Sequence, residues 1–158
     1  MDTTPWLDDW IHGEALSLPR QWARPGVALL FNLECPGCVS RAMPWFKRAA
    51  RRVAESDSGR GSSVQLFAVH TAYGHRQLDR DAVVPQLQHY ASQFAELPFP
   101  VALDLSGEWA SAMGAEGTPH WFVWDASGGL ERSVYGSQEN ALTRLAYLFE
   151  GWGVMLGD

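Results

Sequence analysis

The chain has 158 residues, 46% apolar and 19% charged, which is the content of a folded soluble protein and excludes a disordered or fibrous one. A formal net charge of −6 argues against nucleic-acid binding, which needs a basic surface to displace counterions. No run reaches the roughly 18–20 uninterrupted apolar residues of a membrane span, and the acidic opening MDTTPWLDDW lacks the charged-then-apolar order of a secretion signal, so the expected location is cytoplasmic, with no membrane partner.

In chain order, GVALLFNLE (26–34) follows a Pro-Gly turn and is a continuous apolar run, the pattern of a central strand buried on both faces. From Pro36 to about Ala54 the residues fall at helical spacing, with Val39, Met43, Phe46 and Ala50 on one side. Pro44 is expected to kink this helix, since it removes a backbone donor. KRAARR (47–52) reads as a solvated helix end whose positive charge complements the helix dipole. SDSGRGSS (56–63) is a polar loop, and SVQLFAVH (63–70) a second buried strand. DAVVPQLQHYASQF (81–94) is a helix with Asp81 as its expected N-cap and Pro85 in its first turns. A short strand at FPVALD (99–104), a short helix at GEWASAMG (107–114) and a strand at HWFVWD (120–125) come next. After the turn ASGG, a strand LERSVYG (130–136) and a helix QENALTRLAYLFEGW (138–152) close the chain. This order predicts an α/β fold, a central mixed β-sheet flanked by helices, in a single domain covering 1–158.

Both cysteines lie in FNLECPGCVSRAMPWF (31–46), as Cys35 and Cys38. Two are too few for a disulfide scaffold, and a close pair in a reducing compartment performs redox or metal chemistry. The strand-to-helix switch puts Cys35 at a helix N-terminus, where free amides and the dipole favour a thiolate, the attacking species in disulfide exchange. Cys38, one turn further in, is expected to be more buried, to stay protonated until needed, and to resolve a mixed disulfide formed at Cys35. Glu34 opposes a thiolate beside it unless it points into solvent.

A second signal is GTPHWFVWD (117–125), where Thr118-Pro119 precedes an apolar strand: either a cis proline ending a loop or a plain turn. His120 follows directly and is either a packed residue or a group that tunes the cysteine pair. A zinc site needs four ligands; Cys35 and Cys38 supply two, and His70 and His120 are the histidines at strand ends near them. Trp45 and Trp121 belong either to the core or to an apolar groove for a protein substrate.

Cys35-Pro36-Gly37-Cys38 joined to Gly117-Thr118-Pro119, in this order and at this distance, resembles the thioredoxin-like superfamily, specifically its TlpA/ResA-like (AhpC/TSA-related) thiol-disulfide oxidoreductases, over nearly the whole chain. WIHGEALSLPRQWARPGVALLFNLECPGC is similar to that branch's opening hairpin, glycine turn, central strand and cysteine pair. RAMP (41–44) corresponds to its helix proline, and LPFPVALDLSGEWASAMGAEGTPHWFVWDASGGL to its run of strand, helix, Gly-Thr-Pro and strand. The resemblance implies a thioredoxin-like fold with an N-terminal β-hairpin and a helix inserted within about 71–98. It also implies Cys35 as nucleophile, Cys38 as resolving cysteine, Pro119 as a cis proline packed against them, and Thr118 offering its backbone to an extended partner. The implied partners are protein thiols and disulfides plus an electron donor or acceptor, with no cofactor beyond the cysteine pair and no metal.

The chain departs from the pattern in four places. Glu34 stands where thioredoxins commonly carry an aromatic residue, and the dipeptide between the cysteines is Pro-Gly rather than Gly-Pro. Leu29, six residues before Cys35, stands where thioredoxins bury a carboxylate, which leaves the resolving thiol's proton to water, Glu34 or another group. The helix proline, Pro44, comes one residue later than usual. Two alternatives follow. A peroxiredoxin-like thiol peroxidase shares the fold, but Asn32 stands where its peroxide-holding Thr or Ser belongs, and Arg132 is the one arginine in view to stabilise the thiolate. The other is a non-enzymatic metal-binding or partner-docking module.

Overall fold

The computed structural model describes residues 5–56 and 63–156. Its strands are β1 (Trp10–His12), β2 (Gly26–Phe31), β3 (Gln65–Thr71), β4 (Val101–Asp104), β5 (His120–Trp124) and β6 (Leu130–Tyr135). Its helices are α1 (Met43–Ser56), α2 (Arg80–His89), α3 (Glu108–Ala112) and α4 (Glu139–Gly151). The strands form one sheet in the order β1-β4-β3-β2-β5-β6. β2, β3 and β4 are parallel, and β1, β5 and β6 run antiparallel to their neighbours, so the sheet is mixed. The unbroken apolar run of β2 has its reason in this order: it is flanked by β3 and β5, and all six of its residues are buried.

Alternation along each strand separates two cores. Val27, Leu29 and Phe31 face the core that receives Phe46 of α1 and Leu145 and Phe149 of α4, and both cysteines belong to this side. Ala28 and Leu30 face the other core, where Trp6, Trp10, Trp22 and Trp124 surround Phe67 at centroid distances of 5.7 to 5.9 Å. The tryptophans are thus packing residues. Trp45 and Trp121 are among them: their rings meet edge to face at 5.4 Å, and Trp121 donates its indole N–H to the Gly136 carbonyl (2.8 Å).

The N-terminal β-hairpin does not form among the described residues. Trp10 and His12 pair instead with Ala102 and Val101 at the sheet edge. The stretch that would supply the hairpin's second arm holds Pro19 in a single 3-10 turn (Pro19–Gln21), and Pro25 follows it; prolines lack the donors a ladder needs. The inserted helix is present, as α2 and a π-helical turn at Tyr90–Phe94 between β3 and β4. Its N-cap position is Asp79, with Asp81 inside the first turn.

The helix after the cysteines also opens with a π-helical turn, Cys38–Ala42, in which the Met43 N–H reaches the Cys38 carbonyl. Pro44 has no N–H and its ring crowds the Ser40 carbonyl, so the wide turn falls just ahead of it. KRAARR sits in the middle of α1, whose last turn carries no basic residue, so its charge does not complement the dipole there. Most of SDSGRGSS, residues 57–62, lies outside the described residues. None of the described helices is long and apolar enough to cross a membrane.

Candidate active site

β2 ends at Phe31, and the next residues fold into a tight turn in which the Cys35 N–H donates to the Asn32 carbonyl (3.0 Å). The Cys35 carbonyl then accepts from the N–H groups of Cys38 (3.1 Å) and Val39 (3.2 Å), which starts the helix at the first cysteine. One helical turn brings the sulfurs together. The two free thiols stand 2.6 Å apart, with the Cys38 thiol directed at Cys35. Cys35 is 7% exposed and Cys38 fully buried. Burial pushes the Cys38 thiol far above its ordinary range; the Cys35 sulfur adds to this, and hydrogen bonds from the Asn32 backbone and Thr118 oppose it.

The Thr118–Pro119 peptide is cis, and the Thr118 carbonyl lies 3.7 Å from Cys35 Sγ, so the loop before β5 meets the cysteine turn across the end of the sheet. Gly37 has ordinary helical backbone (φ −63°) and little spare room: a Cβ there would lie 3.2 Å from Ser137 Oγ, which would have to shift slightly, and in ordinary contact with Pro119 Cδ at 3.8 Å. The Pro-Gly order of the dipeptide therefore puts the small residue where the proline loop packs.

Glu34 does not act on the cysteines as its position in sequence suggests. Its carboxylate accepts from Arg76 through both Nε (3.0 Å) and Nη2 (2.8 Å), and this pairing holds it below the usual carboxylate range. Arg76→Ala is expected to slow disulfide exchange at pH 7 by about two- to fivefold, by leaving the Glu34 charge unmatched beside Cys35. Adding Glu34→Gln should restore the rate, as should high salt, and kcat/KM for a small disulfide at several salt concentrations measures both.

His75 lies two strand ends away in sequence but reaches the same place, with Nε2 2.7 Å from Thr118 Oγ1. The segment after β3 thus touches both sides of the cysteine site, through Arg76 to Glu34 and through His75 to Thr118. Sequence reasoning missed both residues. The available signal was topological: residues following two adjacent parallel strands, here β2 and β3, emerge side by side at the same edge of a sheet.

The two histidines considered as ligands go to different places. His70, 3% exposed, lies under the cysteine turn and accepts the Leu33 N–H at Nε2 (3.2 Å), so its proton sits on Nδ1. Burial lowers its pKa to about 4, helped by the nearby charge of His75. His120 faces the opposite core, stacked on Phe122 at 4.7 Å. Its Nδ1 accepts the Glu116 N–H (3.3 Å) and its Nε2–H donates to Ser133 Oγ (2.6 Å). Strand alternation, which sends Trp121 to the cysteine side, sends His120 away, so of its two readings it takes that of a packed residue. No three His, Cys, Asp or Glu side chains converge on a metal position among the described residues.

The residues considered for peroxide chemistry are also engaged elsewhere. Asn32 donates from Nδ2 to the Thr71 carbonyl (2.8 Å) and accepts the Glu34 N–H at Oδ1 (2.8 Å), which leaves its amide bracing the turn. Arg132 is exposed on β6 opposite Val123 and donates to the Glu131 carbonyl. Leu29 is fully buried in the apolar core on the cysteine side.

No protein-family model matches the chain, and no curated protein is similar to it in sequence. Its architecture does match solved structures. A thiol-disulfide isomerase from Corynebacterium glutamicum superposes with a TM-score of 0.71 at 21% identity, covering 100% of this chain and 99% of that one. The chain has the thioredoxin fold. StoA from Bacillus subtilis shares it (TM-score 0.64, 20% identity, 97% and 99% covered), as does a thiol:disulfide interchange protein from Chlorobium tepidum (0.63, 18%, 96% and 93%). In this chain the cysteine turn and the cis-proline loop meet at the end of the sheet where the parallel strands finish.

Proposed function

We propose that this protein is a thiol-disulfide oxidoreductase of the TlpA/ResA-like kind, exchanging its Cys35–Cys38 pair with protein thiols and disulfides. The observation that carries the reading is the pair itself: two free sulfurs 2.6 Å apart at a helix start, the outer one beside the Thr118 carbonyl. In the reducing direction, the Cys35 thiolate attacks one sulfur of a substrate disulfide. A Cys35–substrate S–S bond forms, the substrate S–S bond breaks, and the second substrate sulfur leaves as a thiolate that takes up a proton. Cys38 then gives up its proton and attacks Cys35 Sγ. The protein disulfide forms, the mixed disulfide breaks, the first substrate sulfur leaves as a thiolate that takes up the proton Cys38 released, and two electrons have passed to the substrate. An external dithiol must return them before the next turnover. Thr118 supports the substrate by presenting its carbonyl next to the reacting sulfur, the arrangement an extended chain needs to pair beside it.

Trapping tests this reading. The Cys38→Ser protein should accumulate mixed disulfides through Cys35 when incubated with a disulfide-bonded protein such as insulin, and the Cys35→Ser protein should not. Absence of adducts in the first variant, together with undiminished insulin reduction by the second, overturns the assignment.

A further inference from the structure

The basic run in α1 takes no part in the chemistry above, and most of its charge has no ion pair among the described residues. Lys47, Arg48 and Arg51 line a groove of about 410 Å³ between α1 and the Tyr90–Phe94 turn. Among the described residues none of the three is ion-paired, whereas the adjacent Arg52 has Glu55. Among the described residues no carboxylate lines the groove, although acids outnumber bases in the whole chain. Its apolar wall is equally unusual. Phe94 is 77% exposed and stacks at 5.9 Å on Tyr90, and both rings line the same groove as the cations. Val39, the residue directly after Cys38, is among those lining the groove, so the lining reaches the chain neighbour of the cysteine pair.

We propose that this groove docks an acidic segment carrying an aromatic or aliphatic side chain, belonging to the protein that exchanges disulfides with the cysteine pair. The proposal rests on the function proposed above and names its partner's chemistry. Three cations without counter-charges attract carboxylates and steer their approach. An exposed Phe beside a Tyr supplies the kind of apolar anchor that dominates protein interfaces. A small inorganic anion would satisfy only the cations and leave Phe94 in water. A polypeptide with both features satisfies the whole surface.

The test uses two probes. The first is a fluorescein-labelled, cysteine-free peptide, Asp-Glu-Phe-Asp-Glu, with Lys-Lys-Phe-Lys-Lys as its control, read by anisotropy against the whole protein. The acidic peptide should bind at low salt and the basic one should not. Lys47→Glu/Arg48→Glu/Arg51→Glu should weaken binding at least about tenfold, as should roughly 0.3 M salt. Phe94→Ser, on a different element, should weaken it independently. The second probe is a peptide disulfide flanked either by the acidic sequence or by Gly and Ser. The acidic flank should raise kcat/KM about tenfold in the wild type and not in the triple variant, while hydroxyethyl disulfide turns over equally in both. Equal binding of the two labelled peptides, or binding indifferent to the triple substitution, overturns the proposal. So does a wild-type dimer in sedimentation that the triple variant dissolves, because the occupant is then a second copy of this chain. Peptide binding without any disulfide turnover leaves the docking site standing and removes the proposed function; turnover without a charge preference does the reverse.

Discussion

Cys35→Ser is expected to slow alkylation of the folded protein by iodoacetamide at pH 7 by at least about 100-fold, while Cys38→Ser leaves the rate within about threefold of the wild type. Only a thiolate reacts, and it must be reached. Cys38 fails on both counts: it is fully buried, and burial is the largest of the causes that push its thiol far up. Removing Cys35 takes away the smaller contributions, the hydrogen bond and charge of its neighbour, but leaves the desolvation. The residual thiol of Cys35→Ser therefore stays protonated and shielded. Cys35 keeps a fraction of its surface in solvent and begins the helix. Mass spectrometry of the carbamidomethylated protein reads the rates, and both variants should react fast once unfolded in guanidinium. Rapid modification of Cys38 in the folded Cys35→Ser protein would show the roles to be reversed.

The parts of this structure legible in the sequence are those determined by neighbours along the chain. The apolar run before Cys35, the helix start after it and the Thr-Pro ahead of a strand each announce themselves within a few residues, and the structure brings the two motifs to 3.7 Å. Charge roles were not legible, because the groups that decide them are remote. Glu34 beside a cysteine reads as an obstacle to a thiolate until Arg76 arrives from 42 residues away to hold it. His120 beside Pro119 reads as a site residue until the parity of β5 turns it to the other core. KRAARR reads as a helix end, but in α1, which ends at Ser56, all six of its residues precede the last turn. The hairpin failed for a related reason: the branch-like opening suggested two local strands, and the edge of β4, about ninety residues on, took the one strand that formed.

Acidification supplies the second large effect. Folding stability is expected to fall by up to about 3 kcal/mol as the pH drops from about 6.5 to about 4, with His70 as the main source. The folded-state pKa of His70, about 4, lies below its value in an unfolded chain, so between those limits the unfolded state binds the extra proton and the folded state does not. The contribution is therefore complete above about 6.5 and is lost as pH falls toward 4. His120 is lowered by burial and acts in the same direction. Glu34, lowered by Arg76, adds a loss only once pH falls below the ordinary carboxylate range. Around His70 the charge of His75 favours the neutral ring and Glu34 the charged one, but burial outweighs both. His70→Gln retains an acceptor for the Leu33 N–H without the titration, so urea unfolding at pH 7, 5.5 and 4.5 should show a flatter profile than wild type. A variant with the full wild-type slope would assign the acid sensitivity elsewhere. The site should respond with the fold: once Nε2 is protonated it can no longer accept from Leu33, and the turn that presents Cys35 loses that anchor. Hydrogen exchange of the Leu33 amide should therefore accelerate in the wild type over the same pH interval, relative to its intrinsic rate, and not in His70→Gln.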